Sequence, residues 1–331
     1  MSLSASAGDA GSNAHFSSDF LNAVRPQLNA LESVRLTKLD ALKSRRRIGW
    51  PAMVLLGPLC LVLDFMFIPD FGFDDRGMPW LTVTVLGGIW AWVEFPKWQY
   101  AQAYKREILP RIAKLFGDFS YDHNVQIEMD AMQPSKIVPR HSAYKSEDHF
   151  AGNYKAVGIQ FSEIDLTEKS GKTERSVFSG LAILLTSGVK TFHGHTIIVK
   201  DQGRLKRWFK AQTGKLKRAD LVDPEFEQLF DVFTNDQVEA RYLVDPRIME
   251  NLKSLFKDYD GKNLSAAFYD QYVLILIESS KDHFEPSGIH TPAIDEHALL
   301  AMRREIEQIL SIIDHLSLYD RKARRRASST A

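Results

Sequence analysis

Residues 48–68, IGWPAMVLLGPLCLVLDFMFI, and residues 80–93, WLTVTVLGGIWAWV, decide how this chain is read. The first run carries one charge, Asp64. At about 1.5 Å of helical rise per residue it reaches roughly 30 Å, the thickness of a bilayer's hydrocarbon core. The second run has no charge but reaches only roughly 21 Å. It spans a bilayer if extended from Met78 to Trp98, which places Glu94 and Lys97 near one end. The alternative is a buried hairpin inside a soluble core. The length of the first run favours the membrane, and residues 48–98 are expected to form a transmembrane helical hairpin.

Charge orients it. Arg35, Lys38, Lys43, Arg45, Arg46 and Arg47 precede the first run, and Lys97, Lys105, Arg106 and Arg111 follow the second. The intervening loop PDFGFDDRGM has one cation, Arg76, beside Asp70, Asp74 and Asp75. Cationic flanks stay on the cytoplasmic side, so both termini are expected in the cytosol. Trp50, Trp80, Trp92 and Trp98 fall near the expected interfaces, where amphipathic rings are comfortable. Gly57-Pro58 is expected to kink the first helix. Gly57, Gly87, Gly88 and Ala91 supply small residues for close helix packing.

Outward from the hairpin, residues 1–15 are Ser/Ala/Gly-rich and expected to lack structure, and they show no cleavable signal peptide. Residues 16–47 have helical periodicity through Leu21, Val24, Leu28 and Leu31, interrupted at Pro26. Residues 99–320 are expected to form a cytosolic α+β domain, with a mixed, largely antiparallel sheet and flanking helices. Gln99–Gly117 continues as a helix bent at Pro110. Val125–Met129, Val157–Leu166, Val177–Thr186, Thr196–Val199, Val238–Val244, Ser265–Tyr269 and Tyr272–Glu278 are expected strands, the last central. Residues 134–153 are expected as a long loop, and Pro224–Phe230 and Pro246–Lys257 as helices, the latter with Pro at its first turn. From Asp295 to Asp320, Leu299, Met302, Ile306, Ile309, Ile313 and Leu316 keep a heptad-like spacing. That helix is short for a free coiled coil, so packing on another helix of the chain is expected. Residues 321–331 form a basic tail.

Lys plus Arg and Asp plus Glu both number 42. This balance gives no global attraction to nucleic acid. The single cysteine, Cys60, excludes a disulfide within the chain and a thiolate metal cluster. No phosphate loop, metal spacing or nucleophile motif is present, so no catalytic residue, metal ligand or cofactor is assigned.

Four local features invite function. Residues 201–218 hold seven cations after Asp201, with Leu205, Trp208, Phe209 and Gln212 on one helical face. Arg204, Lys206, Arg207, Trp208, Phe209, Lys210, Lys215, Lys217 and Arg218 are therefore candidates for contact with an anionic lipid surface or a partner; a solvated cationic loop is the plainer reading. Glu147-Asp148-His149 sets two carboxylates beside an imidazole on an expected loop, where turn capping by Asp148 is the plainer role. His193-Gly194-His195 places two imidazoles at i, i+2 without a third ligand by spacing. Asp64 and Glu94 are ionisable groups near membrane depth, where either interfacial placement or an ion path applies. Two helices enclose no pore, so a conduit requires oligomers.

The segments SEDHFAG (146–152), FSEIDL (161–166), VFSGL (177–181), FHGHTIIVKD (192–201), DPEFEQLFDVFTNDQVEARYLVDP (223–246) and FEPS (284–287) resemble the bacterial family known as domain of unknown function 3137. The resemblance spans most of residues 16–320. It implies a two-span anchor in the bacterial inner membrane followed by a cytosolic α+β region, and a partner among small LemA-type membrane proteins. It implies no activity.

Overall fold

The computed structural model describes residues 6–67, 79–154, 157–171, 173–187, 191–200, 216–219, 224–258, 262–280, 284–286 and 288–293, with further residues at intervals from 297 to 313. The chain divides into two compact units. One comprises residues 1–109 and 285–298, the other residues 110–284 and 299–331.

The first unit is built on a helix pair, α1 (Ser6–Phe67) and α2 (Trp80–Glu107). Helix α1 takes in residues 6–15, the segment at 16–47 and the first apolar run, and it continues through Pro26, Pro51 and Pro58. Val24, Leu28, Leu31, Arg35 and Leu42 are buried at alternating three-, four- and seven-residue steps, the stripe that the N-terminal periodicity predicts. On α2, Val93, Pro96, Tyr100 and Tyr104 are buried. The two helices run antiparallel, since Lys38 Nζ donates to Gln99 at 2.8 Å while Thr82 contacts Asp64 further along α1. Helix α2 ends at Glu107 and α3 (Leu109–Leu115) follows at once. The break falls where Pro110 removes a backbone donor and its ring crowds the carbonyl four residues earlier.

A returning segment completes this unit. Arg35 donates to the carbonyl of Ile289 at 2.7 Å, Ala293 N donates to Glu32 at 2.7 Å, and Lys105 pairs with Glu285 at 2.6 Å. Glu32 and Arg35 clasp each other through two hydrogen bonds of 2.8 and 2.6 Å.

The second unit is a nine-stranded sheet in the order β1-β2-β3-β4-β9-β8-β5-β7-β6. Its strands are β1 (Asp118–Asp122), β2 (Ala143–Tyr154), β3 (Val157–Ser170), β4 (Thr173–Ser187), β5 (Thr196–Lys200), β6 (Lys217–Arg218), β7 (Phe230–Thr234), β8 (Asn263–Tyr269) and β9 (Tyr272–Glu278). Every described pairing is antiparallel, so the sheet is not mixed. Strand β9 sits at the centre as expected. It is buried on both faces, which is why YVLILIE is continuously apolar rather than alternating. One face packs Ile164, Leu184, Ile197, Leu274 and Leu276 against Ile127, Met132, Ile137 and Val138. The opposite face carries Phe161, stacked on Phe150 at 4.7 Å, with Phe284 at 4.9 Å from Phe150.

Gly180 fits β4 against β9 at a position no other residue tolerates. Its φ is +152°, and a Cβ there would lie 2.1 Å from the carbonyl oxygen of Ile277.

Three of the expected segments also take another form, because alternation alone neither makes nor excludes a strand. Residues 125–128 are not a strand; they lead into α4 (Met129–Met132), which buries Met132. The expected loop at 134–153 contains most of the 12-residue strand β2. The expected strand at 238–244 is helical instead, in α6 (Gln237–Leu243), with Val244 as its C-cap. The Asp236 carboxylate caps that helix by accepting from the N–H groups of Val238 and Glu239. The strand of this region is β7, immediately before it, and it follows α5 (Pro224–Leu229). Helix α7 (Pro246–Asp258) is as predicted, with Asp245 accepting from Arg247 N and Ile248 N. Of the C-terminal seam, Leu299, Met302, Ile306, Ile309 and Ile313 are buried, whereas Leu316 lies outside the described residues.

Candidate functional site

The most conspicuous surface of the chain is the far half of the α1–α2 pair. Val54, Leu55, Phe65, Met66 and Phe67 on α1 are exposed, as are Trp80, Leu81, Val83, Trp90 and Trp98 on α2. An apolar surface this continuous is costly in water. Among the described residues one helix, within Val24–Phe67, is long and apolar enough to cross a membrane. The second apolar run falls short, because Glu94, Pro96 and Lys97 interrupt it.

Both ends of this apolar zone are closed by polar contacts between the helices. At one end Asp64 is buried and accepts from Leu81 N at 3.1 Å, Thr82 N at 2.8 Å and Thr82 Oγ1 at 2.7 Å. Helix α2 begins after Pro79, which offers no capping side chain. Asp64 supplies that cap from the neighbouring helix, and its negative charge faces the positive end of the α2 dipole. This role accounts for a carboxylate within the apolar run. At the other end Arg46 pairs with Glu94 at 2.8 Å, and Lys97 also pairs with Glu94. Beside them Arg45 donates to the carbonyl of Trp92 at 2.8 Å and lies over the Trp92 ring at 5.1 Å.

Close helix approach occurs at Gly49 and Gly57. A Cβ on Gly49 would sit 2.3 Å from Val93 Cγ2, and one on Gly57 would sit 3.7 Å from Leu86. Gly57 was expected here; Gly49 was not, although it lies one heptad beyond buried Leu42. A Cβ on Gly87 or Gly88 meets nothing within 4 Å, and Ala91 is exposed. These three point away from α1, so the small-residue stripe of α2 is not the contact face of this pair.

In the sheet unit, Glu147-Asp148-His149 is a bulge in β2 rather than a loop. Register breaks between Glu147 and Phe150, and Asp148 has φ +53°. Asp148 is fully buried and accepts the Tyr121 hydroxyl. Ser162 Oγ donates to the carbonyl of Glu147 at 2.7 Å and is within 2.7 Å of Ser146 Oγ. His149 is buried with Nδ1 lacking a partner among the described residues, and burial holds its pKa below the ordinary 6.5, opposed by nearby Asp122. This polar network is closed inside the sheet. Two open grooves of about 670 Å³ lie on the unit, one along β1–β4 beside Pro110 and Lys114, the other between Arg140, Arg175, Lys262 and Glu278, and Asp148 and His149 line neither.

The two histidines of His193-Gly194-His195 part company. His193 is exposed, while His195 Nε2 lies 2.8 Å from the carbonyl of Ser135 and its ring is 5.8 Å from that of Tyr269. Burial lowers the His195 pKa, and it raises that of Tyr269, whose hydroxyl donates to Ala131 O at 2.7 Å. The residue that organises the turn is Glu239, which sequence reading missed: its two oxygens accept from His193 N at 3.1 Å and Gly194 N at 2.6 Å. Among the described residues no group of three or more His, Cys, Asp or Glu could hold a metal ion.

Of the basic stretch, Arg204, Lys206, Arg207, Trp208, Phe209, Lys210 and Lys215 lie outside the described residues. Lys217 and Arg218 do not continue a helix; they form β6, and Arg218 pairs with Asp231 at 3.0 Å.

Residues 176–318 match the model of a family described as Protein of unknown function (DUF3137). Over those residues the chain is similar to that family. The DUF3137 region takes in nearly all of β4, all of β5 to β9 and the C-terminal helical residues, and leaves α1, α2 and β1 to β3 upstream. The match is thus shorter than the resemblance over residues 16–320 suggests, with segments 146–152 and 161–166 outside it. No curated protein and no solved structure matches the chain.

Proposed function

We propose that this DUF3137 protein is a non-enzymatic membrane protein of the bacterial inner membrane, anchored by both α1 and α2. Its sheet unit and both termini face the cytosol, where the unit contacts a protein partner or the anionic bilayer surface. The observation that carries the reading is the belt of exposed apolar side chains shared by the two helices, closed at one end by Arg46–Glu94 and at the other by Asp64. Although the uncharged run of α2 is short, pairing with α1 removes its polar groups from lipid: Glu94 is neutralised by Arg46 and Lys97, and the first N–H groups of α2 are satisfied by Asp64. Lysine and arginine flank both outer edges of the pair and are scarce between its runs, which favours an inward-facing sheet unit. The cationic residues at 204–218 supply a second contact with the anionic leaflet or a partner.

Labelling tests the arrangement. With Cys60→Ala removing the sole thiol, single cysteines are placed at Gly72 and at Ala331 and intact cells are treated with an impermeant maleimide. Reaction at position 72 and none at 331 is expected. Reaction at 331 overturns the sidedness, and protection of both positions overturns the second span.

A further inference from the structure

We propose that Arg45, Arg46 and Arg47 form a guanidinium collar that binds the headgroup phosphates of anionic phospholipids, a proposal that rests on the anchor described above. The collar lies where the apolar belt begins, since Ile48 and Trp50 on the next turn are exposed. A ligand that satisfies both surfaces has a charged head and an apolar tail. A soluble phosphate would leave the belt uncovered.

The arginines are held, and their donors are only partly used. Arg45 is fixed by the Trp92 carbonyl at 2.8 Å and lies over the rings of Trp92 and Phe95 at 5.1 and 5.9 Å. Its other N–H groups have no acceptor among the described residues. Arg46 gives one nitrogen to Glu94 at 2.8 Å. Arg47 is exposed and makes no hydrogen bond or ion pair among the described residues. Glu94 is shared with Lys97, and Asp40, the acid that precedes the arginines on α1, faces Lys43 at 3.9 Å, so the collar keeps excess positive charge. A guanidinium presents parallel N–H groups that match two phosphate oxygens, which an ammonium cannot do. Stacking on Trp92 fixes the Arg45 side chain in advance, so little rotamer freedom remains to be lost on binding.

The test uses the full chain in nanodiscs of equal parts phosphatidylcholine and phosphatidylglycerol, with retained lipid counted by native mass spectrometry. Phosphatidylglycerol should be retained over phosphatidylcholine. Arg47→Gln, which breaks no hydrogen bond or ion pair among the described residues, should lower that preference about fivefold, and Arg45→Gln with Arg47→Gln should lower it further. The corresponding lysine pair should fall between native and glutamine, because it keeps charge and loses the fork. Equal retention of the two lipids by the native chain, or unchanged preference in the glutamine variants, overturns the collar. Carbonate extraction of the same proteins separates the two readings: release of the native chain from membranes overturns the anchor, whereas a chain that stays membrane-bound without lipid preference overturns the collar alone.

Discussion

Asp64 shows how much one side chain decides. Its position in an apolar run draws attention as an ion-path candidate, yet its oxygens are taken up by Leu81 N, Thr82 N and Thr82 Oγ1. Asp64→Ala should therefore weaken the helix pair by about 1–2 kcal/mol, the usual worth of an N-cap. Loss of helicity on titrating the full chain in mild detergent with a denaturing one measures it. Asp64→Asn, which keeps acceptors, should recover most of the difference; an alanine variant as resistant as the native chain would remove the capping role. His149 supports a second prediction. Its folded pKa lies below 6.5, so the unfolded chain binds a proton that the folded chain refuses as pH falls beneath that value. Stability should be flat above about pH 7 and decline through the acid side of 6.5, from this residue and from His195, which is lowered in the same direction. Amide exchange in β1 to β3, corrected for intrinsic rates, should speed up between pH 7 and pH 5.5 in the native chain and less so in His149→Gln. Equal acceleration in both proteins would place the proton elsewhere.

At the scale of elements, the contact between α1 and α2 is asymmetric, and substitutions should reveal it. Gly49→Val puts methyl groups where Val93 Cγ2 already sits within 2.3 Å of a Cβ position, and overpacking of this kind costs about 1–3 kcal/mol. In a Cys60→Ala background, oxidative cross-linking of Gly57→Cys with Leu86→Cys should drop sharply when Gly49→Val is added. Gly88→Val should leave cross-linking unchanged, because nothing lies near that position; the reverse result would put α1 on the other face of α2. This asymmetry also marks how far the sequence could be read. Apolar length placed both helices, and continuous apolarity placed β9 at the centre, since these depend on local composition. Which glycine meets the neighbour depends on helix rotation, which Gly87, Gly88 and Ala91 do not encode. The signal that could have found Gly49 is its place on the Leu28–Arg35–Leu42 heptad line. Likewise Val238–Val244 looked extended because no pattern within it competes with the Asp236 cap just before it. The bulge at Asp148 had no sequence signature at all, for its cause is a hydroxyl on another strand, Tyr121.

For the whole molecule, chain order and spatial order differ. The polypeptide leaves the helix pair at Leu109, builds the sheet, and returns at Glu285 to lie again with residues 1–109 before the last helical residues rejoin the sheet unit. Side chains hold the return: Glu32 receives Ala293 N, Arg35 reaches Ile289 O, and Lys105 pairs with Glu285. Glu32 is the common point, because its hydrogen bonds from Arg35 hold its carboxyl below the ordinary carboxylate range and keep the clasp charged at neutral pH. Removing Arg35, which is 6% exposed, leaves Glu32 without its cation and the Ile289 carbonyl without its donor. Arg35→Ala should release residues 288–293 without disturbing β9, since the sheet's own pairing does not pass through the clasp. Amide exchange in the full chain should then rise at least tenfold at 288–293 and stay unchanged at 273–277. Equal acceleration in both segments would mean that the helix pair and the sheet stand or fall together; no acceleration in either would mean that the return is held by contacts other than Glu32 and Arg35.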